Sequence, residues 1–233
     1  MSRREFFMSD PEPQIKSYYE TYWSAGRKSF SGANQGYAPS LRRWMASELR
    51  SLPEDSPVLE VGCGDASFTT ELARYSRRVT AIDLSAGQIE ENAGRFPGIA
   101  FRQHDVAEPL PFGDGIFAVV WCSEVLEHLF DPAYALREMC RVLQPGGRLL
   151  ATVPYHGRFK NILIALFKWD EHFAPGNPHI RFYTKRTLGR LVGAAGFGEI
   201  RIRTCGMSRP ARDLFVPTNI LLRARRAPAA KRE

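Results

Sequence analysis

Beyond residue 56, short apolar runs alternate with amphipathic segments along the chain. The apolar runs predict strands at 57–62, 78–83, 98–103, 116–121 and 147–153. The segments between them predict helices at about 66–76, 85–95 and 132–143. Strands rich in Val and Ile that are separated by helices indicate βαβ units, and hence an α/β fold with a parallel sheet between two helical layers.

The pattern near the C-terminus completes this sheet. A helix is predicted at 184–195, with Thr184 as its N-cap and Gly196 as its terminator. Strands are predicted on either side of residue 210, at 198–204 and 217–224. Before the helix, the segment 155–183 carries many aromatic residues and three histidines. It is long for a connection in an α/β domain, which is typical of a lid or a binding loop.

The first 50 residues follow a different pattern. Helices are predicted at 14–23 and about 39–50, separated by a stretch rich in Gly and Ser. We therefore expect a leader and helical lid over residues 1–50, in which Tyr18, Tyr19, Trp23 and Tyr37 close over a ligand. The main domain is predicted to span residues 51–225, with the insert at 155–183, and a basic tail follows at 226–233.

Composition and charge indicate the cellular compartment and argue against nucleic acid as a partner. The net charge of +7 invites nucleic acid, but nine of the 32 Lys and Arg residues lie beyond residue 200. Such a concentration indicates a solvated surface and tail, and nucleic acid is disfavoured. Four scattered cysteines without a CxxC pair, and an N-terminus without the apolar core of a signal peptide, favour the cytoplasm. The sequence does not fix an oligomeric state.

The stretch "VLEVGCGDAS" places an acid, Glu60, just before a glycine pair, Gly62 and Gly64. Ligands of open parallel sheets bind where strands end, and glycines let the backbone turn tightly and approach a ligand closely. The dinucleotide fingerprint needs a third glycine at position 67, which is Ser. Glu60 would repel a pyrophosphate and attract an amino group. This bend therefore disfavours a nicotinamide dinucleotide.

Two further acids follow the next two strands. Asp83 ends the second strand, in position to accept hydrogen bonds from two ribose hydroxyls. Asp105 follows the third strand and is placed to accept one from an adenine amino group. Each acid alone is equally consistent with a helix cap or a turn. Together with Glu60 they indicate a nucleoside with a cationic tail and no phosphate, a description that S-adenosylmethionine fits.

The chain resembles the class I S-adenosylmethionine-dependent methyltransferases. The matching pieces lie between 57 and 154 and are "VLEVGCGDASF", "VTAIDLS", "FRQHDVAEPLPF", "FAVVWCSEVLEHLFDP" and "CRVLQPGGRLLATVP". Ala66 stands where the family pattern E/D-x-G-x-G-x-G has its third glycine. The resemblance implies a Rossmann-like, seven-stranded sheet whose last hairpin supplies one antiparallel strand.

The resemblance also implies a set of cofactor contacts. Glu60 would lie near the methionine amino group, and the backbone of Gly62, Cys63 and Gly64 would run along the methionine. Asp83 would bind the ribose diol. The remaining implied contacts are Leu84, Asp105 and Val106 around the adenine and the backbone of Cys122 at the methionine.

The sequence is less specific about the residues that would bind the methyl acceptor. His128 follows the fourth strand and is the candidate general base, although a packing role for its loop stays open. The candidate substrate-binding residues of the insert are Tyr155, His156, His172 and His179. Their spacing matches no metal signature, so no metal is predicted. The insert segment "RFKNILIALFKW" is basic and amphipathic, which leaves contact with a membrane surface open beside packing on its own domain.

Within the family, the insert and the "T…L…L…AGF" element resemble the branch that acts on small molecules, including O-methyltransferases of quinone biosynthesis. The Asn/Asp-Pro-Pro-Tyr/Phe motif of enzymes that methylate bases and amides is absent after the fourth strand, where the chain reads "WCSEVLEH". We therefore expect a methyl transfer to a small-molecule hydroxyl, with carbon as the next choice. The alternatives are an RNA methyltransferase and a cofactor-binding protein without activity; a dehydrogenase ranks last.

Overall fold

A seven-stranded sheet organises the described part of the chain. The computed structural model describes residue 21 and residues 36–174, 177–206, 213 and 215–227. The strands are β1 Val58–Val61, β2 Val79–Asp83, β3 Ala100–Gln103, β4 Phe117–Ser123, β5 Leu143–Pro154, β6 Phe197–Cys205 and β7 Asn219–Arg226. They lie in the order β3-β2-β1-β4-β5-β7-β6. Only β7 runs antiparallel to its neighbours, as the family resemblance implies.

All seven predicted strands are present, and one differs clearly in where it begins. β5 begins at Leu143, four residues before the predicted start at 147. Leu143 pairs with Phe117, and the register then shifts so that Val119 pairs with Arg148. The glycines and proline between these pairs form an irregularity inside the strand, because one side of the ladder holds extra residues.

Eight helical segments are described over their full length. They are α1 Ala38–Leu49, α2 Thr69–Leu72, α3 Ala86–Arg95, a 3₁₀ turn at Leu126–His128, α4 Pro132–Val142, α5 Arg158–Phe167, α6 Trp169–His172 and α7 Lys185–Ala194. The prediction for the segment after β1 was too long, since only α2 forms there. Ala66 has a positive φ of 62°, which is a turn conformation and not a helical one. The helix therefore starts later than expected.

Two apolar clusters hold helices against opposite faces of the sheet. On one face, α4 and α7 bury Leu136, Met139, Leu188 and Val192 against the strands. On the other face, α1 buries Leu41 and Trp44. The Trp44 ring lies 5.5 Å from that of Trp121 on β4, measured between centroids. The apolar side chains of α1 thus cover this face of the sheet.

Helix α7 begins and ends as predicted. The Thr184 hydroxyl accepts a hydrogen bond from the Thr187 N–H, and the Thr187 hydroxyl accepts one from the Thr184 N–H. This reciprocal pair satisfies two amide donors that a helix start would leave unpaired. At the other end, Gly196 has a positive φ of 98°, which glycine adopts without steric cost.

The insert contains two helices that the sequence analysis did not assign, α5 and α6. A parallel bridge between Tyr155 and Tyr183 closes its two ends. No helix among the described residues is both long and apolar enough to cross a bilayer. The predicted helix at 14–23, with Tyr18, Tyr19 and Trp23, lies outside the described residues apart from Thr21, as does the basic tail from residue 228.

Candidate active site

The glycine bend lies in the crevice where the strand order reverses. β1 pairs with β2 on one side and β4 on the other, so its carboxyl end faces the topological switch point. Gly62 and Gly64 both have positive φ values, 75° and 48°. A Cβ on Gly62 would come within 2.4 Å of the Val125 side chain, in the loop after β4. Glycine at 62 is therefore required both by its conformation and by the closeness of the two loops.

Glu60 is a buried acid at this bend. The residue is 2% exposed, and its Oε2 has no hydrogen-bond partner among the described residues. Burial raises its pKa to about 8 and the charges of Asp83 and Asp65 act in the same direction, while the nearby Thr69 hydroxyl opposes the shift. A buried carboxyl in this state is stabilised by an approaching cation. An ammonium group of a ligand has the required charge and donors.

The Asp83 carboxylate is oriented by the backbone of its neighbours. Its Oδ2 accepts a hydrogen bond from the Gly64 N–H at 2.9 Å, and its Oδ1 accepts one from the Ser85 N–H at 3.0 Å. Asn92 of α3 donates from Nδ2 to the Gly64 carbonyl at 2.7 Å. The acid at the end of β2 and the glycine bend thus form one hydrogen-bonded unit. Asn92 was not predicted as a site residue. Its one signal in the sequence is an amide side chain on the buried face of a predicted helix.

The predicted adenine-side residues lie at the next two strand ends. Asp105 Oδ1 accepts a hydrogen bond from the Ala107 N–H at 2.8 Å, which closes a tight turn after β3. Gln103 donates from Nε2 to the Leu84 carbonyl at 3.1 Å and so links the ends of β2 and β3. Val106 is buried beside this turn. The arrangement gives an acid and two apolar side chains at one edge of the sheet.

At the end of β4, Cys122 is fully buried and surrounded by acids. Burial raises the pKa of its thiol, and the carboxylates of Glu127, Glu124 and Glu60 raise it further. Burial also raises the pKa of the Cys63 thiol. Both cysteines are therefore protonated at neutral pH and serve as small buried side chains, not as nucleophiles.

Comparison with known proteins identifies the family. Residues 59–151 match the family model of a methyltransferase domain. A demethylmenaquinone methyltransferase from Mycolicibacterium gilvum is 33% identical over 179 residues, which cover 70% of this chain and 76% of that protein. The chain belongs to the S-adenosylmethionine-dependent methyltransferases.

Other relatives of the methyltransferase match in part. A ubiquinone biosynthesis O-methyltransferase from Xanthomonas oryzae is 36% identical over 98 residues, which cover 40% of each chain. The fold matches more widely. The 1,6-didemethyltoxoflavin-N1-methyltransferase of Burkholderia thailandensis, solved with S-adenosylhomocysteine, has a TM-score of 0.70 and 18% identity, and the match covers 94% of this chain and 92% of that one.

The cofactor of this methyltransferase is S-adenosylmethionine, and the residues at the strand ends fit it. The buried Glu60 carboxyl offers a partner to an ammonium group. The glycine bend leaves room for backbone approach, and the Asp83 carboxylate is held in one orientation. The roles predicted for individual residues stay predictions, since no comparison tests them.

Two acids, Glu124 and Glu127, follow Cys122 on the side where an acceptor is expected. Glu124 has a positive φ of 56°, a strained backbone for a residue with a Cβ. Its Oε1 accepts hydrogen bonds from Thr152 at 2.8 Å and from Asn219 at 2.9 Å. Burial raises its pKa to about 7, against these hydrogen bonds. Thr152 and Asn219 were not predicted as site residues, because in the sequence each is a single polar residue within a predicted strand.

Tyr37 approaches the same place from the N-terminal side. Burial raises the pKa of its phenol, and the Glu124 and Glu127 carboxylates raise it further. Of the four aromatics expected to close over a ligand, Tyr37 is the one that the described residues include, and it lies near Glu124 and Glu127.

His128 and the three histidines of the insert form two pairs. His128 and His179 stack edge to face, with ring centroids 4.8 Å apart. His156 and His172 lie 5.3 Å apart, and both pack against Phe182. Of the substrate-binding residues predicted from the sequence, His179 thus contacts the candidate base, and His156 and His172 contact each other.

His128 itself is held neutral. Its Nδ1 lies 3.1 Å from the Pro178 carbonyl, and burial lowers the pKa of its imidazole to about 4, with His179 lowering it further. A base with so low a pKa is a weak proton acceptor. The general-base role of His128 stays a prediction.

Replacing Gly62 tests the bend. In Gly62→Ala the new Cβ meets Val125 and the φ of 75° becomes strained, so we expect a loss of about 2–4 kcal/mol in unfolding free energy and at least a tenfold loss of cofactor affinity. Urea unfolding and calorimetric titration measure the two effects. Gly94→Ala in α3 is the control, since its Cβ meets nothing within 4 Å, and it should keep parent affinity. Parent affinity in Gly62→Ala would contradict the assignment.

The raised pKa of Glu60 predicts a pH dependence. Its folded pKa of about 8 exceeds the ordinary glutamate value of 4.5, so between these values the folded state keeps a proton that the unfolded state has lost. The cofactor-free protein should therefore lose stability as pH rises through this window. Glu60→Gln removes that contribution, and its stability should fall less steeply between about pH 5 and pH 8 in urea unfolding. Equal slopes for parent and variant would show that Glu60 does not carry the shift.

Proposed function

We propose that this methyltransferase transfers a methyl group from S-adenosylmethionine to the hydroxyl oxygen of a small, largely apolar acceptor such as a phenol or a quinone precursor. The observation that carries the proposal is the concentration of carboxyl groups just after Cys122. Glu124 and Glu127 follow the end of β4, and together with Glu60 their carboxylates act on the Cys122 thiol, which supports an acceptor site beside the methionine end of the cofactor. A hydroxyl must lose its proton on methylation, and such groups are suited to receive or stabilise it.

Aromatic side chains of the insert support an apolar acceptor. Trp169, Phe173 and Phe182 form ring contacts with one another and with His156 and His172. Ligand pockets are commonly lined by such side chains, with a few polar groups that fix orientation. The printed functions of two relatives, demethylmenaquinone methylation and an O-methylation in ubiquinone biosynthesis, agree with an aromatic acceptor.

The residues of the chain would act mainly by positioning. When bound, S-adenosylmethionine supplies a methyl group on a positively charged sulfur, whose C–S bond is easily broken. Glu60, Asp83 and Asp105 would fix the two ends of the cofactor, and Tyr37 would exclude water near the acceptor. Holding two reactants in line can supply about 7–11 kcal/mol of the barrier at the upper end.

A second part of the proposal concerns contact with a membrane. The apolar surface of α5 and α6 exposes between 41% and 74% of each of these residues: Phe159, Ile162, Leu166, Phe167, Trp169 and Phe173. The exposed cations Arg158 and Lys168 lie at the two ends of α5. An exposed apolar face flanked by cations fits the interface of an anionic membrane, from which a prenylated acceptor would be taken.

The acceptor is tested with methyl-labelled S-adenosylmethionine and purified protein. Hydroxylated quinone precursors and the small-metabolite, lipid, RNA and protein fractions of a bacterial extract are offered separately. We expect label in one small-molecule or lipid product, with a carbon-13 shift typical of O–CH₃. Asp83→Ala should abolish the labelling by weakening cofactor binding, and Asp55→Ala, which removes an exposed carboxylate, should not.

The other outcomes of this assay are distinct. A C–CH₃ or N–CH₃ product would overturn the choice of oxygen. Label in RNA or protein would overturn the small-molecule class. Cofactor binding without label in any fraction would favour a binding protein without methyl transfer.

Membrane contact is tested by sedimentation with phospholipid vesicles. The parent should co-sediment with anionic vesicles several-fold more than with neutral ones, since both charge and apolar area contribute. Phe167→Ser removes an apolar side chain that is 74% exposed and should reduce binding, whereas Ile116→Ser, 43% exposed elsewhere, should not. Equal sedimentation of the two variants would contradict the proposed membrane contact.

A further inference from the structure

Three potential metal-binding side chains meet beside the acceptor end. One ligand atom each from Glu127, His128 and His179 lies within 4.8 Å of the other two. Glu127 and His128 follow β4, whereas His179 comes from the far end of the insert. Spacing along the chain gave no metal signature here, because the third group is separated from the other two by the whole of β5, α5 and α6.

Glu127 is the first reason to expect a cation. The residue is 0% exposed, and neither carboxylate oxygen has a hydrogen-bond partner within the part of the chain that the structure describes. A buried carboxylate without donors is costly, and either a proton or a cation must offset its charge.

The hydrogen bonding of His128 is the second reason. A carbonyl oxygen requires a donor, so Nδ1 carries the proton that is shared with Pro178. The lone pair is then on Nε2, which lies 3.8 Å from Glu127 Oε1. Two donor atoms on one zinc ion at about 2.1 Å are separated by about 3.4 Å in tetrahedral geometry. A histidine that binds a metal with one nitrogen commonly donates from the other to a carbonyl or carboxylate, as His128 does.

The segment that carries His179 is fastened to the 3₁₀ turn. The N–H groups of Ile180 and Arg181 both donate to the Glu127 carbonyl at 3.0 Å. The Tyr183 hydroxyl donates to the Leu126 carbonyl, also at 3.0 Å. These bonds hold His179 opposite Glu127 and His128 independently of any ion. Binding groups that are held in this way lose little freedom when a ligand arrives.

We propose that Glu127, His128 and His179 bind one divalent transition-metal ion of the zinc, manganese or iron(II) class. Two imidazoles and one carboxylate suit such ions and leave coordination positions open. This departs from the sequence expectation of no metal.

The metal would also have a use in the reaction, and this part rests on the proposed function. A hydroxyl bound to the ion loses its proton to water more easily, since the ion stabilises the alkoxide or phenoxide. The oxygen then forms a bond to the methyl carbon while the C–S bond breaks, and S-adenosylhomocysteine leaves with the sulfur electron pair. His128 would thereby act through the ion and not as a base.

The test uses the full chain, stripped with a chelator and dialysed. Zn²⁺ is added, and bound metal is counted by equilibrium dialysis with elemental analysis; Co²⁺ serves as an absorbing probe of the same site. We expect about one Zn²⁺ per chain, displaceable Co²⁺ with visible ligand-field bands, and at least a tenfold loss of affinity in Glu127→Gln, His128→Ala and His179→Ala. His104→Ala, which changes a histidine after β3, should bind as the parent does.

Calorimetric binding of S-adenosylmethionine is measured for each variant, so that a misfolded variant is recognised. A folded parent that takes up no Zn²⁺ or Co²⁺ overturns the site, and so do folded variants that keep parent affinity. Equal loss in His104→Ala would show adventitious binding by surface imidazoles. Metal binding without methyl transfer would leave the site standing and remove the proposed function. Methyl transfer by a metal-free chain would leave the proposed function standing and remove the role of the metal in the reaction.

Discussion

Buried carboxyl groups at the carboxyl ends of β1 and β4 are the constraint on which the site depends. Glu60 and Glu127 are nearly or fully inaccessible, and each has at least one oxygen to which no described residue donates a hydrogen bond. Burial of such groups lowers stability unless positive charge approaches. These carboxyl groups lie at the switch point of the sheet. There they are suited to bind a cationic ligand, although they lower the stability of the ligand-free chain.

The surrounding structure maintains these groups in position. The Gly62 bend fits against Val125 with no room for a Cβ, so the loops after β1 and β4 fix each other. Asn92 holds the next turn of the same bend. On the acceptor side, Thr152 and Asn219 bind Glu124 from two further strands, and its strained φ persists because these contacts determine it. Residues of β5 and β7 and of the loops after β1 and β4 thus support one site.

The insert extends from this site to the surface of the molecule. Its inner part is fastened to the turn that carries His128, and its outer part exposes the apolar surface of α5 and α6. In the proposed function, an acceptor taken up at that surface would meet the histidines and acids at the inner end.

The sequence alone determined the seven strands and the class of fold, and it predicted the cofactor end of the site. These depend on local patterns: apolar runs of strand length, the Glu60–Gly62–Gly64 bend, acids directly after strands, and the Thr184 cap. Only the tertiary structure brought together the side chains that follow β4 and those of distant segments. Glu127 meets His179, and Glu124 meets Thr152 and Asn219, across long stretches of chain. The physical reason is that a strand end can be recognised from its own residues, whereas the side chains that converge there are chosen by packing between distant segments.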